Sequence, residues 1–311
     1  VLDYIFRARN NKTSDGCSNC QAPYHFFKKV TGKYAYKCPC NKSKLIFPLK
    51  GTPLEHSKKP LTLFIEIIYE LFCSKHGLTA TEVDRRFRIG KNETSHLLLD
   101  KTSQWLGLAI SGQEFKADSI IEVDEVYPRV QTGLGPYYSF KRGLGSERLK
   151  PTITLTERNS DGSGLTKLIA VDEVNSVTLK EIFRKHTKPT NIIYTDESNI
   201  YNFLKFNEEF KGYHHEQCNH KRGDWAIGQC HVNTCEGVHS YVKKYIHNVH
   251  LGVTEEKIQL YLNRVAFNFS YRDKNFLDAL DVLFNSLPSL HENIDNRVQC
   301  NRTAKKWEKA A

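Results

Sequence analysis

The chain has 311 residues, enough for about two domains and a buried core, and its 45 lysines and arginines against 35 acidic residues leave a formal charge of +10. That excess favours a polyanionic partner, most commonly nucleic acid. No apolar run approaches the roughly 18 residues of a membrane span, the longest, 61–72, being interrupted by Glu66 and Glu70.

Residues 1–9 are short and mixed in character, so no secretory leader is expected. Four of the nine cysteines fall within 17–40 and the rest are scattered, which is unlike a disulfide framework and points to a reducing compartment. Methionine is absent, and we have no physical account of that.

The segment to residue 60 lacks long periodic runs. Its informative part is Cys17 and Cys20, then a hairpin-like stretch over 24–36, then Cys38 and Cys40. Two cysteine knuckles on a hairpin are how a zinc ribbon gathers four thiolates. The second knuckle has one residue between its cysteines where two are usual, so His25 and His56 are alternative ligands, and four free thiols in an unstructured arm is the bland reading.

Residues 61–73 carry Leu61, Phe64, Ile65, Ile68, Leu71 and Phe72 at helical spacing and predict an amphipathic helix. A helix capped by Thr79, a turn carrying Gly90 and a second helix starting near Asn92 and running to Trp105 predict a helix-turn-helix. Arg85, Arg86, Arg88 and Lys91 favour DNA over a hairpin used only for packing.

Beyond Gly112 the texture changes to strands at 119–124, 151–156 and 168–171, with a basic loop carrying Lys141, Arg142, Arg148 and Lys150 between the first two. A helix over 177–186, a strand over 191–195, a short helix over 199–206, a brief strand over 213–217 and a helix carrying Glu236 follow. Further helices are predicted over 254–268 and on to 287, then a basic tail. Strands and helices in this order predict an α/β fold, a mixed sheet flanked by helices.

Asp124 and Asp196 end the first and fourth strands, and Glu236 lies on the late helix; that is the order of acids in the RNase H-like fold. Three carboxylates from separate parts of a chain can hold a pair of magnesium ions against a phosphodiester. Glu125 and Glu197 follow the two aspartates directly and are expected on the opposite face, supporting or exposed. Val171, Asp172 and Glu173 imitate the first acid but read as a strand-to-helix turn. The residues His214, His215, Cys218, His220, Cys230, His231 and Cys235 match no standard zinc spacing. His220 and His231 are better read as hydrogen-bonding phosphates or orienting the acids.

The runs from Thr195 and Asp196 to Tyr201, from His215 to His220, and from His231 through Asn233 and Glu236 to Gly237 resemble motifs of one family. So do Lys243 and Lys244, Tyr261 to Arg264, and Tyr271 with Arg272. In this order they look like those of DDE transposases of the Merlin and related bacterial insertion-sequence type. The resemblance also takes in the cysteine segment, the link from Gly51 to Leu61 and the helix-turn-helix. It implies a zinc-ribbon segment (1–60), a helical DNA-binding domain (61–112), an RNase H-like catalytic domain (113–288) and a basic tail (289–311). It implies Asp124, Asp196 and Glu236 as catalytic acids with magnesium or manganese, and zinc on Cys17, Cys20, Cys38 and Cys40. His220, His231 and Asn233 become supporting residues, and Lys243 and Lys244 DNA contacts.

The partners implied are double-stranded DNA, both terminal inverted repeats and target, and a homodimer or higher oligomer on it, with no membrane. The location would be the nucleus in a eukaryote or the nucleoid in a bacterium. Cys218 stands where the family has an apolar residue and His239 where a tryptophan is common. The alternatives are a domesticated, catalytically silent DNA-binding protein and a nuclease of the same fold, which would not need the N-terminal modules.

Overall fold

The computed structural model describes residues 1–10, 17, 19–28, 34–38, 40–131, 146, 148–159, 162–218, 231–250 and 252–289. Lys141, Arg142, His220 and Cys230 lie outside them. The chain opens with a helix that the sequence pattern does not reveal, α1 (Leu2–Asn10), of which Ile5 and Phe6 are buried. Phe6 stacks on Tyr36 with ring centroids 3.7 Å apart, which ties α1 to a small antiparallel sheet of β1 (His25–Lys28), β2 (Tyr34–Cys38) and β3 (Asn41–Ile46).

Three helices follow: α2 (Leu61–Cys73), α3 (Ala80–Phe87) and α4 (Asn92–Ser111). Thr79 caps α3 as expected, in a full capping box with Glu82. The turn into α4 has left-handed backbone at Arg88 (φ 50°), the C-cap of α3, and at Gly90 (φ 80°), where glycine adopts it without strain. Helix α4 extends six residues past the expected Trp105, to Ser111. Its later turns are buried through Thr102, Ser103, Trp105, Leu106 and Ala109. The Trp105 indole donates to the Leu283 carbonyl at 2.8 Å, and the Arg264 guanidinium donates to Ser103 Oγ at 2.5 Å. The helices of 61–112 therefore share one apolar core with the C-terminal helices.

The next elements are β4 (Ile120–Val126), β5 (Val130–Gln131), β6 (Thr152–Asn159), β7 (Gly162–Ala170), α5 (Ser176–His186), β8 (Ile192–Asp196), α6 (Phe203–Phe206) and β9 (His214–Cys218). The chain ends with α7 (Asn233–Lys243), which continues as a π-helical turn over Lys244–Val249, then β10 (Val253–Thr254), α8 (Ile258–Tyr271) and α9 (Phe276–Asn285). Strands β6 and β7 are longer than the expected 151–156 and 168–171 and form one hairpin. The expected helix over 199–206 is broken into a 3₁₀ turn, Asn199–Tyr201, and α6.

The main sheet has the order β7-β6-β4-β8-β9. The pairs β7/β6 and β6/β4 are antiparallel, and β4/β8 and β8/β9 are parallel. This is the RNase H-like arrangement, a mixed five-stranded sheet with helices on its faces. Ile121 and Val123 pack on one face against Leu179, Phe183, Tyr201 and Phe203. The opposite face meets α7 and α8. Among the described residues no helix is long and apolar enough to cross a membrane.

Candidate active site

Strand register builds the site. The parallel pairing of β4 and β8 sets Glu122 beside Tyr194, and two residues further along each strand stand Asp124 and Asp196. Side chains two apart share a face, so the two aspartates lie side by side at the C-terminal ends of neighbouring strands. In open α/β sheets this is where ligands bind.

Glu125 departs from expectation. One oxygen each from Asp124, Glu125 and Asp196 lie within 4.8 Å of one another. Alternation does send the Glu125 side chain towards the α5/α6 face, where the buried Tyr201 hydroxyl donates to its Oε1 at 2.5 Å. The opposite face holds as expected, yet the carboxylate still reaches the aspartates near the strand end, so Glu125 belongs to the acidic cluster and is not exposed. Burial, then the charges of Glu125, Asp196 and Glu236, push the Asp124 carboxyl up to about 7, against the pull of the Glu125 backbone N–H. Burial also raises Glu125, opposed by Tyr201. Crowded, partly buried carboxylates repel one another, and a hard divalent cation accepting oxygen ligands would relieve that repulsion. The donor set suits magnesium or manganese.

Glu236 lies exposed in the first turn of α7. It is near enough for its charge to act on Asp124 but is not among the oxygens grouped within 4.8 Å. One helical turn on, His239 is buried with Nε2 2.9 Å from Thr154 Oγ1 and Nδ1 3.6 Å from Asp124 Oδ2. Burial and Lys243 pull His239 down to about 4, so a neutral imidazole stands beside Asp124. Its spacing of three from Glu236 was the available sequence signal.

His231 Nδ1 lies 2.9 Å from Arg158 Nη2 and accepts from the Asn233 backbone N–H at 3.4 Å. It therefore stands among the groups that hold the start of α7. Asn233 itself is exposed. His215 is within 3.0 Å of Thr195 Oγ1, and His214 pairs with Glu216 at 2.8 Å. Cys218 is disulfide-bonded, and Cys235 is a buried free thiol. The described histidines of this run thus have separate partners.

In the N-terminal segment Cys17, Cys20, Cys38 and Cys40 converge, their sulfurs within 4.8 Å of one another. The separations are 3.7 Å for Cys17–Cys40, 3.2 Å for Cys20–Cys38 and 3.1 Å for Cys38–Cys40. A tetrahedron with zinc–sulfur bonds of about 2.3 Å has edges of about 3.8 Å, so the set fits zinc. The Asn19 N–H donates to Cys17 Sγ at 3.4 Å, and that donor leads in lowering Cys17 to about 6. His25 is not in the group, and His56 sits with Glu55 at 3.5 Å. The shortened second knuckle is accommodated by a register shift between Lys37 and Cys38.

Of the basic residues, Arg85, Arg88, Lys91, Lys243 and Lys244 are exposed, and Arg86, also exposed, pairs with Glu70. Arg148 is exposed beside the Ser146 hydroxyl. Lys150 is different, because its ammonium is held by Asp172 at 2.6 Å and Glu255 at 2.7 Å with only 12% of the side chain exposed. The strand-to-helix turn at Asp172 thus has a structural task.

A transposase-like protein of Haemophilus influenzae, itself uncharacterised, is 28% identical over 102 residues, 33% of this chain and 78% of that protein. The solved Mos1 strand transfer complex is 12% identical over 71% of this chain and 81% of its own, with a TM-score of 0.23. The mariner Mos1 paired end complex with Mg is 10% identical over 82% and 80%, with a TM-score of 0.25. Scores that low add nothing to the fold read from the strand order. Residues 116–270 match the model of the ISXO2-like transposase domain, a span that contains every strand of the main sheet and all the acids, and the chain belongs to the insertion-sequence DDE transposases.

Proposed function

We propose that this chain is an active DNA transposase that binds the terminal inverted repeats of its element and carries out metal-dependent cleavage and strand transfer. The observation that carries the reading is the register that sets Asp124 beside Asp196, with Glu125 in the same group and Glu236 on α7 near enough for its charge to act on Asp124. Asp124, Asp196 and Glu236 would hold two magnesium or manganese ions, with Glu125 as an added oxygen donor. Bound there, such ions activate water for hydrolysis and stabilise charge on the scissile phosphate.

The protein's own groups do the rest. Tyr201 fixes Glu125, and neutral His239 stands beside Asp124 without competing for its charge. His231 and Asn233 order the start of α7, and His220 is a further supporting residue. Lys243 and Lys244, further along α7, contact backbone phosphates next to the reacting bond. Arg85, Arg86, Arg88 and Lys91 meet the element end, as do Lys141, Arg142 and Arg148. Zinc on Cys17, Cys20, Cys38 and Cys40 folds the N-terminal module. Pairing two element ends calls for a homodimer or larger assembly on DNA.

The test is cleavage of a labelled element end with magnesium by wild type, Asp124→Asn and Glu236→Gln, with end binding measured alongside. Loss of cutting with binding retained in both variants is expected. Equal cutting by Glu236→Gln and wild type would remove Glu236 from the site. End binding with no cutting by any of the three proteins would leave a domesticated DNA-binding protein as the better reading.

A further inference from the structure

Helix α7 carries Glu236 in its first turn, yet its own N-cap residue, Val232, provides no side-chain cap. Helix starts leave N–H groups that need acceptors. Here the acceptor comes from 112 residues away: Glu122 Oε2 takes the Thr234 N–H at 2.8 Å and the Cys235 N–H at 3.1 Å. Glu122 Oε1 takes the Thr234 hydroxyl at 2.8 Å and Arg158 Nε and Nη2 at 2.9 and 2.7 Å. The carboxylate is wholly buried. Arg158 closes the unit by donating to the His231 carbonyl at 2.7 Å.

The placement of Glu122 matters as much as its bonding. It stands two residues before Asp124 on β4, on the same face of the sheet, while the N–H groups it holds belong to the two residues just before Glu236. One carboxylate therefore links the strand that carries the first acid to the helical turn that carries the third. A buried charge used only for stability is usually replaceable by apolar packing. A buried charge that caps a helix from a neighbouring strand fixes that helix's axial position and rotation, and a helix N-terminus favours an anion there.

We propose that Glu122 is a positioning residue for the metal site: through the Thr234 and Cys235 N–H groups it sets the distance and orientation of Glu236 relative to Asp124. The proposal rests on the reading of Asp124, Asp196 and Glu236 as the metal-holding acids. Glu122 touches neither metal nor DNA in this scheme. Arg158 neutralises it and keeps it from adding to the repulsion within the acidic cluster.

The test is manganese binding to the full chain without DNA, by calorimetry and by electron paramagnetic resonance of free manganese, for wild type, Asp124→Asn, Glu122→Gln and Glu122→Asp. Glu122→Gln keeps shape but has one acceptor oxygen for two sets of donors, so its NH₂ must face either the Thr234 and Cys235 N–H groups or the Thr234 hydroxyl and Arg158; Glu122→Asp keeps charge but shortens the reach. Both are expected to weaken manganese binding by about tenfold or more, as loss of a partner that orients metal ligands does. Thermal melting reports the folded fraction separately. Affinity per folded molecule equal to wild type in either Glu122 variant would overturn the proposal and leave Glu122 a purely structural cap. Thr234→Val, which removes one bond and no charge, is the variant to use if both Glu122 changes prevent folding. A smaller loss of affinity supports the proposal there, and none overturns it. Asp124→Asn binding manganese like wild type would instead sink the underlying reading of the acids, independently of Glu122.

Discussion

The Tyr201 hydroxyl, on a side chain with no solvent exposure, donates to Glu125 at 2.5 Å behind the Asp124 and Asp196 carboxylates. Burial and the charge of Glu125 hold Tyr201 well above its usual pKa, so it remains a donor at any working pH. Tyr201→Phe leaves a partly buried carboxylate without that donor. A hydrogen bond to a charged group contributes about 1.5–3 kcal/mol, and urea unfolding should show a loss of that order, accompanied by a higher magnesium requirement for cleavage. An unchanged unfolding midpoint would mean that solvent satisfies Glu125 instead.

Much of this site was legible in the sequence because strand ends are chemically marked. Apolar runs stopping at Asp124 and Asp196 locate both acids, and their place in the strand order follows. Glu125 was not legible, because alternation is a rule for the middle of a strand and fails to limit a long side chain at its end. Glu122 was hidden inside an apolar run, and its partners, Thr234 and Cys235, are revealed only by tertiary packing. The end of α4 was obscured by Gly107, a poor helix former inside the helix, which is there because a side chain would collide with Asn263. Helix α1 is short and charged, and its docking depends on Tyr36 and on α9, contacts that no local pattern encodes.

The cysteine cluster makes a prediction that separates ligands from bystanders. Protein purified without chelator should contain about one zinc per chain, with zinc–sulfur distances of about 2.3 Å by X-ray absorption. Single serine substitutions of Cys17, Cys20, Cys38 or Cys40 should lower zinc content and unfold the N-terminal module. Cys73→Ser, a change at an exposed free cysteine outside the cluster, should leave the zinc content unchanged. Full zinc retention in the Cys40→Ser variant would show that the shortened knuckle supplies only one ligand.

Lys243 and Lys244 are exposed at the end of α7, whereas Lys150 is occupied by Asp172 and Glu255. Replacing both α7 lysines by glutamine should reduce the slope of log affinity against log salt by about 2, close to one unit per lost phosphate contact. Lys150→Gln should leave that slope unchanged and cost stability, since it abandons two carboxylates. The salt dependence of end binding, measured for the two proteins in parallel, checks both halves. A slope altered by Lys150→Gln but not by the α7 pair would reverse the assignment.

A partly buried pair outside the acidic cluster gives a pH prediction. Lys167 Nζ donates to the Gln113 carbonyl at 2.6 Å and lies 3.3 Å from His186 Nδ1, which must be unprotonated to accept from it. Burial, then the charges of Lys167 and Lys185, pull His186 down to about 4 from an ordinary 6.5. The folded-state value lies below the unfolded one, so between pH 6.5 and 4 the unfolded chain binds the extra proton. The contribution of His186 is therefore fully present above pH 6.5 and is lost as pH falls through about 4. Solvent reaches part of the ring, and after that discount the loss attributable to His186 is about 1 kcal/mol. His186→Asn keeps an acceptor for Lys167 but cannot titrate. Thermal unfolding at pH 7 and pH 5 should show a smaller drop in the variant than in wild type. Equal drops would place the acid sensitivity elsewhere in the chain, the other imidazoles that burial pulls down to about 4, His215, His239 and His250, being the next to replace.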